Sequence, residues 1–296
     1  MMNFGQVLTA MVTPFDQNGG IDFNQTRTLI NYLIANGSDG IVVAGTTGES
    51  PALSDSQKLE LFRFTANIAD GRVPIIAGTG SNNTRASIQL TQQAEQTGVD
   101  AIMLTTPYYN KPSQEGLYEH YKAIAHATSL PVMLYNIPGR SAVAIAPETI
   151  IRLSEINNIV SVKEASGDLD AMAEIIQKTP EDFTLYSGDD SLALPVMAIG
   201  GNGVISVAAH VLGNEMQEMA TQFKQGNVQE AAVIHQTILP VMKALFKQPS
   251  PSPVKAALNM MGIHVGDAQL PMLPLTDDEK QQLRQMLPAT KITEAG

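Results

Sequence analysis

Eight short apolar runs, each closed by turn residues, constrain this chain more than any other feature. They cover residues 7–14, 40–44, 73–78, 101–105, 132–136, 159–162, 183–187 and 203–208, and successive starts lie 20 to 33 residues apart. Between them the apolar residues fall at helical spacing, as in 21–35, 55–69 (with Ser54 as N-cap), 84–96, 113–127, 147–156, 168–178, 191–199 and 213–225. Strands alternating with helices read as parallel βαβ units, and near-continuous apolar strands fit a sheet covered on both faces. Eight units with no midway switch predict an α/β fold of the closed (β/α)8 barrel type over residues 1–225, with an open doubly wound sheet as the structural alternative. Residues 226–296 read as a helical extension packed on the barrel, with helices over 228–246, 253–261 and 277–286 and a rigid connector at Pro249, Pro251 and Pro253. Order is expected throughout except over 290–296.

Composition removes several kinds of chemistry. The chain has no cysteine, which excludes disulfides, thiolate nucleophiles and iron–sulfur clusters. Its formal net charge of −11, without a Lys/Arg cluster, argues against a nucleic-acid partner. The five histidines (His120, His126, His210, His235 and His264) form neither H-x-H nor H-E-x-x-H, so no metal is expected. The N-terminus lacks a signal-peptide pattern. The longest uncharged stretch, 191–213, is broken by Pro195 and four residues of Gly200-Gly201-Asn202-Gly203, so no membrane span is expected. These features predict a cytoplasmic protein.

A barrel of this kind carries its site at the C-terminal ends of the strands. Polar and glycine residues gather there: Gly45-Thr46-Thr47-Gly48-Glu49-Ser50, Pro107-Tyr108-Tyr109-Asn110-Lys111-Pro112, Tyr135-Asn136-Ile137-Pro138-Gly139-Arg140, Val162-Lys163-Glu164-Ala165-Ser166-Gly167-Asp168 and Ser187-Gly188-Asp189-Asp190. Side chains alternate along a strand, so Lys163 and Glu164 are expected on opposite faces. A lysine inside the barrel is desolvated, which favours the neutral amine, and an amine in a dry pocket attacks a ketone to give an imine. Position alone equally allows a strand-end lysine that snorkels to water. Tyr135 reads either as a proton relay beside that imine or as an amphipathic core aromatic. Thr46 and Thr47, between two glycines, suit a carboxylate, although a tight turn needs glycine anyway. Arg140 is either a bidentate carboxylate clamp or a surface arginine. Gly78-Thr79-Gly80 is a poor dinucleotide signal, no Walker motif is present, and Asp190 is a candidate helix cap.

Taken together, the strings Gly-Thr-Thr-Gly-Glu-Ser, Tyr-Asn-Ile-Pro-Gly-Arg and Val-Lys-Glu-Ala-Ser-Gly-Asp, in this order and spacing, resemble the pyruvate-dependent class I aldolase superfamily that includes N-acetylneuraminate lyase. The nearer resemblance is to its dihydrodipicolinate synthase branch, and it runs from Thr9-Ala10-Met11-Val12-Thr13-Pro14-Phe15 to the C-terminal helices. The resemblance implies a lyase of lysine and diaminopimelate biosynthesis without a cofactor. It implies that Lys163 forms a Schiff base with pyruvate and that Tyr135, Thr47 and Tyr109 relay protons, Tyr109 reaching into a neighbouring subunit. It further implies that Thr46 and Thr47 hold the pyruvate carboxylate, that the Gly188 and Ile205 carbonyls line the pocket, and that Arg140 receives the carboxylate of aspartate semialdehyde. The implied assembly is a homotetramer, a dimer of dimers.

Arg140 separates this branch from the sugar-acid aldolases, the alternative within the superfamily. A non-catalytic keto-acid-binding barrel is the alternative outside it, and the joint presence of Lys163, Tyr135, Tyr109 and Thr47 argues against it. Lysine-inhibited relatives bind their effector near positions matching Ser50, Pro51, Asp55, Lys58, Asn82, Ala86 and Tyr108. Here Lys58 places a cation where the effector's ammonium groups approach and Ala86 removes an acceptor, so weak or absent lysine inhibition is expected.

Overall fold

The computed structural model describes residues 4–293. Its eight strands are β1 (Val7–Ala10), β2 (Gly40–Val43), β3 (Ile75–Gly78), β4 (Ala101–Thr105), β5 (Val132–Asn136), β6 (Ile159–Glu164), β7 (Thr184–Ser187) and β8 (Gly203–Ser206), all parallel and in sequence order, with β8 pairing back to β1. The sheet is therefore a closed barrel, which leaves no unpaired strand edge. Helices alternate with the strands: α1 (Phe23–Ala35), α2 (Asp55–Ala69), α3 (Thr84–Glu95), α4 (Gln114–Ala125), the short α5 (Pro138–Ser141), α6 (Pro147–Leu153), α7 (Leu169–Lys178), α8 (Ala193–Ala198) and α9 (Ala209–Lys224). After β8 and α9 come α10 (Val228–Ala244), α11 (Ser252–Met260) and α12 (Asp277–Met286), which pack on one another and on α8 and α9. Among the described residues no helix is long and apolar enough to cross a membrane.

Two apolar layers explain why the strands read as continuous apolar runs. Leu8, Val42, Ile76, Met103, Met133, Tyr135, Tyr186 and Ile205 fill the barrel interior with Phe4. The alternate residues, among them Val7, Ile41, Val43, Leu134 and Val162, face the helices, where Leu29, Ile30 and Leu33 of α1 and Leu61 and Phe62 of α2 meet them. Truncating any one of these fully buried leucines to alanine carries a typical cost of about 2–5 kcal/mol. Local signals agree with the packing. Ser54 and Gln57 form a reciprocal capping box at the start of α2, a feature of the order of 1 kcal/mol.

The differences from the sequence expectations have local causes. β1 ends at Ala10, and Val12 instead donates its N–H to His210 Nε2 in the first turn of α9, at the C-terminal end of the barrel. The apolar run 203–208 stops as a strand at Ser206, whose hydroxyl accepts from the Ala209 N–H and turns the chain into α9 four residues before the expected start. α9 is kinked at Leu212, just ahead of Gly213. Residues 290–293, expected to be without order, are tied down: Lys291 bonds the Val211 carbonyl and pairs with Glu215, and Thr293 donates to the Met260 carbonyl. Residues 294–296 lie outside the described part.

Candidate active site

The closed ladder sets which side chains enter the barrel mouth. Lys163 of β6 lies in register with Tyr135 of β5 and Tyr186 of β7, so all three point inward. Lys163 is 5% exposed, and its Nζ stands 4.3 Å from the centroid of the Tyr135 ring. Among the described residues no carboxylate pairs with it. The amine is thus buried against an aromatic face, without an ion-pair partner, where a substrate carbonyl could reach it.

Glu164 takes the opposite face, as alternation requires. It accepts from Asn136 Nδ2 (2.7 Å) and from the Ser166 N–H (2.7 Å), while Asn136 Oδ1 accepts from the Ile145 N–H. Burial pushes the Glu164 carboxyl above the usual range, against the pull of these hydrogen bonds. The network fixes the loops after β5 and β6, so it positions Lys163 from behind. Gly188 closes the pocket from the β7 side. A Cβ there would meet Ala165 Cβ at 2.6 Å and Lys163 Cε at 3.2 Å, so only glycine lets this backbone lie against the lysine stem.

Thr46 and Thr47 follow β2 in a tight turn. The turn closes on itself through Glu49 N–H to the Thr46 carbonyl and Ser50 N–H to the Gly45 carbonyl, and Thr13 donates its hydroxyl to the Gly48 carbonyl. Carbonyls are thereby consumed. Among the described residues the N–H groups of Thr46, Thr47 and Gly48 have no acceptor. Consecutive free N–H groups beside threonine hydroxyls are an anion cradle. Glu49 itself adopts the left-handed conformation (φ 56°), and so do Ala44, Tyr109, Lys111 and Ala142 on the same rim. Non-glycine residues in that region cluster where surrounding structure imposes them, typically at functional sites.

Two cavities meet near Arg140. One of about 250 Å³ is lined by Gly45, Thr46, Met103, Ile137 and Arg140, and extends to Ser50, Pro51, Lys58 and Tyr108. The other, about 590 Å³, runs from Arg140, Ala165 and Gly188 to Lys243 and Phe246 of the C-terminal extension. Arg140 is exposed on α5, unpaired among the described residues, at the entrance to both.

The chain was compared with known proteins. The model of the Dihydrodipicolinate synthetase family matches residues 3–290. The chain belongs to that family. A 4-hydroxy-tetrahydrodipicolinate synthase of Bacillus subtilis is 60% identical over 283 residues, covering 95% of this chain and 98% of the relative. One of Bacillus velezensis is 59% identical over 286 residues, covering 97% and 99%. Among solved structures, a dihydrodipicolinate synthase from Bacillus anthracis aligns with a TM-score of 0.95 at 58% identity, covering 97% of this chain and 98% of the other. The enzyme from Cyanidioschyzon merolae with lysine bound aligns at 0.94 and 47% identity, covering 96% and 97%.

The fold places most of the expected residues at the C-terminal end of the barrel. Lys163, Tyr135 and Gly188 are adjacent, Ile205 is buried in the same interior layer, Thr47 is buried at the rim, and Thr46 and Arg140 line one cavity. Tyr109 is the exception: it is 90% exposed and has no packed place in its own barrel mouth. Asp190 requires a correction. The residue that caps the turn after β7 is Asp189, whose Oδ1 accepts from the Ser191 N–H. Asp190 is buried and instead accepts from the Val207 and Ala208 N–H groups ahead of α9, pinning the turn that follows Ile205. Burial pushes its carboxyl up to about 6, opposed by the Ser206 hydroxyl and the two N–H groups. Gly80 has a packing reason as well, since a Cβ there would meet the Thr105 nitrogen at 2.3 Å. Sequence reasoning places Glu49 in the turn motif but assigns it no role, and gives Lys255 neither; the spacing between them carries no local signal.

Proposed function

We propose that this chain condenses pyruvate with L-aspartate 4-semialdehyde through a Schiff base on Lys163, the activity named for its relatives. The observation that carries this is the buried, unpaired Lys163 amine against the Tyr135 ring at the C-terminal end of a barrel strand. The amine attacks C2 of pyruvate and water leaves as the imine forms. Loss of a C3 proton gives the enamine, whose C3 attacks the aldehyde carbon. The acceptor's amino group then attacks C2, closing the ring and freeing Lys163. Tyr135 and Thr47 move the protons of these steps, with Tyr109 supplied by a neighbouring subunit. Thr46 and Thr47 hold the pyruvate carboxylate, and the Gly188 and Ile205 carbonyls line the pocket. Arg140 takes the carboxylate of the semialdehyde at the entrance. The working assembly is a cytoplasmic homotetramer, a dimer of dimers, and the exposure of Tyr109 favours a site shared between subunits.

Hydride trapping tests the proposal. Incubation with pyruvate and borohydride should add one pyruvyl-sized increment, mapped to the peptide bearing Lys163. No increment would remove the Schiff-base reading. Arg140→Ala should leave that adduct intact and lower kcat/KM for the semialdehyde by about tenfold to a hundredfold, the scale of one lost charge-assisted contact at a solvent-exposed site. An unchanged kcat/KM would take the acceptor clamp away from Arg140.

Lysine is expected to inhibit weakly. Lys58 lines the cavity beside Ser50, Pro51 and Tyr108, and among the described residues an exposed Asp55 3.6 Å away is its one ion-pair partner. A dicationic side of an effector meets a like charge there, and half-inhibition is predicted above about 1 mM, a binding free energy weaker than about −4 kcal/mol. A sub-millimolar value in a steady-state titration would contradict this.

A further inference from the structure

Glu49 and Lys255 form a buried ion pair that joins the threonine turn to the C-terminal extension. Glu49 Oε1 lies 2.7 Å from Lys255 Nζ, with the two side chains 4% and 1% exposed. Glu49 Oε2 accepts from the Gln269 N–H at 2.7 Å. Lys255 also donates to the Asp267 carbonyl (2.9 Å) and stands 4.4 Å from the Phe15 ring centroid. The segment carrying Asp267 and Gln269 is itself held by Asn259 of α11, which donates to the Gly266 carbonyl and accepts from the Val265 N–H. Glu49 and Lys255 are thus tied to each other and to the loop after α11. Burial pushes Lys255 down and the adjacent Glu49 pulls it back up.

The location gives the pair its meaning. Glu49 is two residues from Thr47, in a left-handed conformation, and its N–H closes the turn whose Thr46, Thr47 and Gly48 N–H groups are left without acceptors. A carboxylate anchored at both oxygens can hold a strained residue in place, and that residue sets the direction of the three free donors. We propose that Glu49 and Lys255 are positioning residues: their pair fixes the Thr46–Thr47 turn in the shape that grips the keto-acid carboxylate, so α11 takes part in substrate binding from outside the barrel. The inference rests on the pyruvate site proposed above.

The test uses Glu49→Gln, Lys255→Met and the double variant in the full-length protein. The readouts are the half-saturating pyruvate concentration in borohydride trapping, kcat at saturating pyruvate, and the thermal midpoint. Glu49→Gln keeps an acceptor for the Gln269 N–H and removes only the charge, so it decides alone should Lys255→Met not fold. Each single variant is expected to raise half-saturating pyruvate about tenfold or more while kcat stays within about threefold, the signature of lost binding common to ground and transition states. The double variant, which leaves no unpaired buried charge but also no anchor, is expected to recover thermal midpoint while its half-saturating pyruvate stays raised; recovery of pyruvate affinity would count against the proposal. Half-saturation within about twofold of the native value in Glu49→Gln, whatever its thermal midpoint, reduces the pair to a structural staple and overturns the proposal. Absence of trapping in the native protein would instead strike at the Schiff base itself.

Discussion

Lys163→Ala is expected to abolish the pyruvate adduct and to lower turnover by on the order of 10⁴-fold or more, the scale seen when an enzyme loses its nucleophile. Lys163 enters the barrel mouth because β6 is locked in register with β5 and β7, and the next residue, Glu164, is committed to the outer face by Asn136 and the Ser166 N–H. Lys58 of α2 and Lys243 of α10 line the cavities that meet near Arg140, but neither belongs to the strand layer that carries Lys163. The variant should fold, since it removes a buried amine that has no ion-pair partner among the described residues and shortens a side chain at the open end of the barrel. Intact mass after pyruvate and borohydride, a coupled reductase assay and circular dichroism together check this. A folded Lys163→Ala protein that still traps pyruvate would place the nucleophile elsewhere.

Tyr135→Phe is the second large effect, an expected loss of about 10²- to 10⁴-fold in kcat, the range typical of a positioned general acid–base group. The substitution is informative because it changes so little else. Tyr135 is buried, and its ring forms the face beneath Lys163 Nζ. Phenylalanine keeps that face and its attraction for a cation, so the lysine should hold its place. A deficit can then be assigned to the missing hydroxyl. Single-turnover trapping should show the adduct forming slowly but to completion, with steady-state turnover reduced further. A kcat within about twofold of the native enzyme would leave Tyr135 a packing residue and put the proton relay in other hands.

Much of this site was legible in the chain because its determinants are periodic or local. The eight strands, the opposite faces of Lys163 and Glu164, and the N-cap at Ser54 follow from a period of two, a period of 3.6 or a local capping signal. What escaped is what depends on distant partners. Asp190 looked like the cap of its own helix, but the barrel brings Val207 and Ala208 beside it, and the neighbouring Asp189 takes the local role. Four-residue α5 is too short to show periodicity, and its Pro138-Gly139 start reads as a turn. Glu49 and Lys255 are joined only through the folding of the C-terminal extension over the rim. Tyr109 lacks a packed setting within the described chain, so the family resemblance alone, and no intrachain pattern, points to it.

The β5–β6 ladder, with its irregularity between Val132 and Met133, carries one more consequence. Lys163 and Glu164 are opposite charges one step apart on a strand, and only the phase of that strand decides which of them meets the substrate. Inserting a single residue ahead of β6 would rotate a carboxylate into the pocket and turn the amine toward the helices. The hydrogen-bond frame of the barrel thus encodes which reactive group enters the pocket, and a frame error there would change the chemistry together with the packing face of the whole strand.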